Sequence, residues 1–215
     1  MNTVLYDYWR SSASYRVRIA LHLADEPFKR VAVDLLEGDH RAPDHLARNP
    51  QGLVPVLDID GHRFTQSLAI LDYLNDTRAL DLLPDDPAQR AQVRALAQSI
   101  AVDLHPVCNL SVVRHATSND ENKPAAIREW MQHFIRPGLE AFDTLLETFA
   151  QEPFCCGNTL SLADLCLMPQ LYNAHRWGVD FSDLPRLHAI KTACAVHPAF
   201  IAAHPDQIRP AQANP

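Results

Sequence analysis

The 215-residue chain has no unbroken run of about 18 apolar residues, the length that a membrane-crossing helix requires. Its opening, "MNTVLYDYWR", lacks a basic segment followed by an apolar one, so no export leader is read and the cytoplasm is the expected location. There is no CxxC, no HExxH and no pairing of cysteine, histidine and carboxylate on one helix face. The 11 histidines and five cysteines therefore form no metal site by pattern, and none is expected. Cys155 and Cys156 are adjacent, which disfavours an ordinary disulfide between them. Together with Cys108, Cys166 and Cys194 they read as reduced, mostly buried thiols. Positive charge is also short: the formal net charge of -7 repels polyanions, which argues against nucleic acid or an anionic membrane as partner. An anionic small substrate would need arginines placed locally.

What is present falls into two halves. "TVLYDYW" alternates at a strand period. "SYRVRIALHLAD" sets Val17, Ala20, Leu21 and Ala24 on one helix face, and "RVAVDL" is a second strand. A short helix near "PDHLARN" follows, then two strands in "NPQGLVPVLDIDGHRFTQ" with a tight turn at Asp60-Gly61, and a helix from Ser67. The order βαβ-α-ββα predicts a small mixed sheet covered by helices, its first two strands parallel. From about Asp86 the strand signals cease. Four long segments read as helices, with internal prolines expected to kink them or mark their ends. "ALDLLPDDP" reads as the linker, and "HPDQIRPAQANP" as a loosely held tail.

Three stretches carry chemistry. In "WRSSASYRVRIAL" a strand runs into a helix whose first turn is rich in hydroxyls; unpaired N–H groups and the helix dipole there favour an anion. A plain cap by Ser12 or Ser14 explains the same serines. In a thioredoxin-like sheet this turn holds the active group, and without cysteine the thiol must come from outside. "GLVPVL" puts a proline, expected cis, after Val54, whose outward N–H and C=O suit an added peptide strand; an edge-strand proline is the plainer account. "TQSLAI" starts a helix at Gln66 and Ser67 that can receive a carboxylate or simply be capped. Together, sites for a thiolate, an extended peptide and a carboxylate describe glutathione. Elsewhere Ser161 and Asp164 form a capping-box-like pair, and Trp130 and Trp177 read as packing residues.

These stretches, with "DLHPVCNLSVVRH", "GNTLSLADLCLMPQ" and "NAHRWGVDF", resemble the zeta class of glutathione transferases, in its maleylacetoacetate isomerase branch, from about Leu5 to about His204. The resemblance implies the glutathione transferase fold: an α+β thioredoxin-like N-terminal domain over residues 1–83 and an all-α C-terminal domain over 88–215. It also implies a homodimer and glutathione as cofactor. By position, Ser11, Ser12 and the turn at Ala13 match the catalytic serine motif. His40, Val54, Gln66 and Ser67 match glutathione contacts, while His105, Asn109, Leu110 and Ser111 match the helical side of the cleft. Arg10 and Arg176 match arginines that hold the substrate's carboxylates.

The chain departs from the family pattern at Ala13, where SSCS is common, and at His40 and His105, where glutamine is common. Relatives acting on maleylpyruvate can carry two arginines where Leu110 and Ser111 stand. The implied reaction is cis–trans isomerisation of maleylacetoacetate to fumarylacetoacetate by reversible thiolate addition, in aromatic amino-acid catabolism, the degradation of tyrosine. The alternatives are maleylpyruvate isomerisation, a general transferase or peroxidase acting on halogenated acids or peroxides, and a binding module without turnover.

Overall fold

A computed structural model describes residues 3–211 of the chain. They form two compact units: residues up to Leu80 together with those from Val196 onward, and Asp81–Ala195.

The first unit is built on a four-stranded sheet. Strand β1 (Thr3–Asp7) leads to helix α1 (Ser12–Leu23) and strand β2 (Phe28–Ala32), then helix α2 (Pro43–Leu46), strands β3 (Val56–Ile59) and β4 (His62–Thr65), and helix α3 (Ser67–Arg78). The spatial order is β2-β1-β3-β4, with β1 parallel to β2 and the other two pairings antiparallel. This is the βαβ-α-ββα order read from the sequence. Asp60 and Gly61 turn β3 into β4 with φ of 53° and 82°, the left-handed pair that a two-residue hairpin requires. The Val54–Pro55 bond is cis.

Helix α1 departs from the one-faced pattern expected of it. Every residue from Ser14 to Leu21 is buried, including Arg16 and Arg18. The cause is a second cover. Helix α3 packs on α1, and so does a helix from the far end of the chain, Pro198–Ala203.

The second unit is helical. It comprises α4 (Pro87–Gln98), a π-helical turn over Ser99–Leu104, α5 (His105–Val107), α6 (Leu110–Ala116), α7 (Lys123–Leu145), α8 (Leu162–Arg176) and α9 (Pro185–Ala195). Helix α8 is central: it packs against α4, α7 and α9, and its residues from Leu162 to Leu171 are all buried. Pro137 and Pro169 lie inside α7 and α8 without ending them, whereas the chain around Pro106 does break into short pieces. At the start of α8 the Ser161–Asp164 capping box forms. The Asp164 carboxylate accepts from the Ser161 N–H and hydroxyl at 2.8 and 2.7 Å and from the Cys155 N–H at 2.9 Å.

The division at 88–215 needs correction at its end. From Val196 the chain, including α10 (Pro198–Ala203), belongs to the first unit, and it is not a loose tail where it is described. The Ala203 carbonyl accepts from Arg18 Nε at 3.0 Å, and Ile208 packs on a cluster of Tyr8, Trp9, Val33 and Val54. Residues 212–215 of that tail lie outside the described residues.

Candidate active site

The turn between β1 and α1 is capped by Ser11, not by Ser12 or Ser14. Ser11 has extended backbone angles (φ -66°, ψ 119°), and its Oγ accepts from the Ser14 N–H at 3.2 Å. In that bond the hydroxyl is an acceptor, so its own proton remains available for donation. Ser12 is the first helical residue, and its hydroxyl makes no hydrogen bond among the described residues. The N–H groups of Ser12 and Ala13 have no intrahelical acceptor, as for any residues in a first turn. No acidic side chain occupies that turn, so the positive end of the helix dipole is not offset there. Ala13 contributes backbone only.

This turn is held from behind by residues that motif reading passed over. Arg18 Nη1 donates to both carboxylate oxygens of Asp7 at 2.8 and 2.9 Å, and Nη2 donates to the Trp9 carbonyl at 3.1 Å. Burial pushes the Arg18 pKa down, and the charge and hydrogen bonds of Asp7 oppose that push. The only trace in the sequence is an arginine within the apolar run "RVRIAL", which an amphipathic pattern assigns to solvent. Beside the serines, Arg10 Nη2 donates to the Tyr8 hydroxyl at 3.3 Å, and the Arg10 guanidinium lies over the Trp9 ring at 4.7 Å.

The second helix start lies in the same unit. Gln66 sits at the N-cap of α3 with φ 67° and ψ 111°, a conformation costly to a residue with a Cβ and therefore a mark of local constraint. Its side chain donates to Gln51 Oε1 at 2.9 Å. Ser67 is the first helical residue and not the cap; its buried hydroxyl accepts from Arg16 Nη1 at 3.2 Å. No acidic residue is found in this first turn either.

The loop before Val54 is pinned through its neighbour. The Leu53 carbonyl meets His45 Nε2 at 3.0 Å and accepts from Asn49 Nδ2 at 2.9 Å. His40 is half-buried in a 3-10 turn whose backbone crowds Gly52: a Cβ on that glycine would come within 3.0 Å of the His40 carbonyl. Gly52 also has φ 62°, so this close approach of two loop segments needs a residue without a side chain.

The remaining sequence-predicted residues belong to the second unit. His105 begins α5 and is half-buried. Asn109 caps α6, its Oδ1 accepting from the Ser111 N–H at 3.1 Å and the Ser111 hydroxyl at 3.0 Å; Leu110 is half-buried and Ser111 exposed. Arg176 ends α8, where the dipole favours a cation, and its exposed guanidinium lies over Trp177 at 4.6 Å. Trp130 Nε1 donates to the Val107 carbonyl at 2.9 Å, a packing role. None of the five cysteines is in a disulfide; four of them are buried and Cys156 is half-buried. Burial pushes the thiols of Cys108 and Cys156 up to about 12, far from reactive thiolates.

A thioredoxin-like unit with two acid-free helix starts and no cysteine in its turn, followed by an all-helical unit, defines the glutathione transferase class. Family comparison agrees: residues 1–76 match "Glutathione S-transferase, N-terminal domain" and residues 124–190 match "Glutathione S-transferase, C-terminal domain". The chain is 58% identical over 209 residues to a maleylacetoacetate isomerase of Rhizobium meliloti (strain 1021), covering 97% of this chain and 98% of that one. A maleyl pyruvate isomerase described as a bacterial zeta-class glutathione S-transferase, solved in its holo form, superposes with a TM-score of 0.92 at 36% identity, over 98% of this chain and 100% of that one. A maleylacetoacetate isomerase from Anaeromyxobacter dehalogenans 2CP-1, solved with glutathione in its active site, gives a TM-score of 0.86 at 41% identity, over 99% and 98% of the chains. The same protein has also been solved with dicarboxyethyl glutathione and citrate in the active site. The chain therefore belongs to the zeta-class, maleylacetoacetate isomerase branch of the glutathione transferase family.

Proposed function

We propose that the protein is a glutathione-dependent cis–trans isomerase that converts maleylacetoacetate to fumarylacetoacetate. The observation that carries this reading is the start of α1: a Ser11 cap, an uncommitted Ser12 hydroxyl and no acid in the first turn. Its donors fit a thiolate and its single-residue change to Ala13 leaves no thiol of its own. Gln66 and Ser67, with their own acid-free helix start, fit a carboxylate of the same tripeptide, and the backbone of Val54 fits its extended middle. His40 would add a donor on this side, and His105, Asn109, Leu110 and Ser111 would furnish the helical side.

Bound glutathione supplies a thiolate that adds reversibly to the maleyl double bond, so that a single bond can rotate before the thiolate leaves. The chain's own residues have two tasks. Ser11, Ser12 and the N–H groups at the α1 start stabilise the anionic sulfur, hydroxyl donors and dipole both lowering a thiol's pKa. Arg10 and Arg176 hold the carboxylates while the rest of the substrate turns, bidentate guanidinium suiting a planar anion in a protein of net charge -7. Leu110 and Ser111 stand where relatives acting on maleylpyruvate can carry two arginines, which supports maleylacetoacetate as the substrate.

The same reading places the enzyme in the cytoplasm as a homodimer, in the breakdown of tyrosine. Among the described residues no single helix is long and apolar enough to cross a membrane. The test is to offer maleylacetoacetate and maleylpyruvate with and without glutathione and to follow the fumaryl product. Product that appears only with glutathione, and without its consumption, supports the isomerase. No product from either substrate sinks it, and stoichiometric loss of glutathione assigns a transferase instead.

A further inference from the structure

Tyr8 closes the turn between β1 and the Ser11 cap in two ways. Its carbonyl accepts from the Ser11 N–H at 2.9 Å, which makes Trp9 and Arg10 the central residues of a β-turn. Its hydroxyl accepts from Arg10 Nη2 at 3.3 Å. The Tyr8 ring is buried beside Trp9, with ring centres 6.2 Å apart, and both belong to the apolar cluster that includes Val33 and Val54. The Arg10 guanidinium lies over the Trp9 ring at 4.7 Å. The half-buried arginine next to the cap of α1 is therefore set by one phenol and one indole, each anchored in the core.

Charge separates this arginine from Arg18. Both oxygens of Asp7 accept from Arg18, which is thereby matched. Arg10 has no carboxylate partner among the described residues, and four of its five N–H groups make no hydrogen bond there. Tyrosine and tryptophan hold the guanidinium without neutralising it. An unheld arginine gives up rotamer freedom when a ligand immobilises it; one already held gives up less, so more of the attraction appears as affinity. In a chain of net charge -7, an oriented cation with its charge unspent, next to a helix start that favours anions, suits a carboxylate bound through the N–H groups that Tyr8 leaves over.

We propose that Tyr8 is a positioning residue: its hydroxyl sets the Arg10 guanidinium for one carboxylate of a small dicarboxylate substrate, and it acts on that substrate only through Arg10. The role of Arg10 in this proposal rests on the isomerase reading above.

The test is a double-mutant cycle on the glutathione-loaded protein, with succinate as the probe, a dicarboxylate that no thiolate can attack. Arg10→Gln should weaken succinate about tenfold or more. Tyr8→Phe keeps the ring and its packing and should weaken succinate about fivefold, the worth of one hydrogen bond, with the glutathione Kd and Tm unchanged. On the Arg10→Gln background Tyr8→Phe should add nothing, because the group it orients is gone. Unchanged succinate binding in Tyr8→Phe overturns the proposal, as does no succinate binding by the native protein. An equal loss on the Arg10→Gln background assigns the hydroxyl a contact of its own and also overturns it. So does a loss accompanied by a lower Tm or weaker glutathione binding, which assigns the hydroxyl to packing. If the coupling is found while the native protein forms no fumaryl product, the isomerase reading fails and the positioning of Arg10 stands. If the product forms while Tyr8→Phe leaves succinate unchanged, the positioning alone fails.

Discussion

Arg16 Nη1 donates to the Ser67 hydroxyl at 3.2 Å, tying the helix that starts at the serine turn to the helix that starts at Gln66. The bond is buried, with Arg16 only 1% exposed, so it sets the two helix starts relative to each other with little competition from water. Ser67→Ala removes the acceptor of a buried cation and should cost about 1.5–3 kcal/mol, the range for hydrogen bonds to charged groups. Denaturant unfolding measures that cost, and isothermal titration should show weaker glutathione binding alongside it. A loss of stability with unaltered glutathione affinity would limit Ser67 to anchoring Arg16.

The two leading serines make different contacts: Ser11 caps α1 and Ser12 is its first residue. Ser11→Ala deletes the cap of α1 and should cost about 1 kcal/mol of stability. Ser12→Ala leaves every hydrogen bond of the turn intact, so Tm should stay unchanged while turnover falls about 10-fold or more through loss of a donor to the anionic sulfur. The pKa of bound glutathione, read from thiolate absorbance, should rise in the variant that loses the sulfur contact. No rise in either variant would leave the helix end alone with that task.

Asp7 and Arg18 form a buried pair whose guanidinium also holds the Trp9 and Ala203 carbonyls. Asp7→Asn leaves that cation buried without its counter-charge and should cost about 3–5 kcal/mol. For a chain of this size the corresponding fall in Tm is on the order of 10 °C. Thermal unfolding checks this. A fall of only one or two degrees would mean that the two carbonyls suffice.

Acid should destabilise the protein before most carboxylates titrate. Burial, with the Arg18 charge second, holds the His22 imidazole below its ordinary 6.5. For His204 burial again leads, Asp206 opposing and Arg18 adding to it. The unfolded chain thus binds these protons more readily than the folded one. The stability they permit is whole above about 6.5 and declines as pH falls through 6.5 towards the lower folded values. Tm measured at about pH 7.5 and about pH 5.5 should drop less in the double variant His22→Gln, His204→Gln than in the native protein. Equal drops would remove both histidines from the account.

The candidate site was legible to different depths. Ser11, Ser12, Gln66 and Ser67 announce themselves because hydroxyl and amide residues at the start of an apolar-periodic run mark a helix start, and a helix start is where an anion binds. Which serine caps was not legible: "SSAS" offers three candidates, and only the backbone angles at Ser11 decide among them. The roles of Arg16 and Arg18 were hidden as well. An arginine in an amphipathic pattern reads as a solvated side chain, and both are buried because their partners, Ser67 and Asp7, come from other elements.

By itself the sequence determined the element order, the division between a mixed-sheet half and a helical half, the tight turn at Asp60-Gly61 and the two helix starts. These depend on residue periods and turn chemistry within a few positions, which neighbours in the chain settle. The tertiary structure alone decided that α1 is buried on all sides and that the polar, proline-rich end returns to Trp9. Both follow from contacts such as Arg18 to Ala203, 185 residues apart, whose free energy comes from burial and charge pairing that no local pattern records.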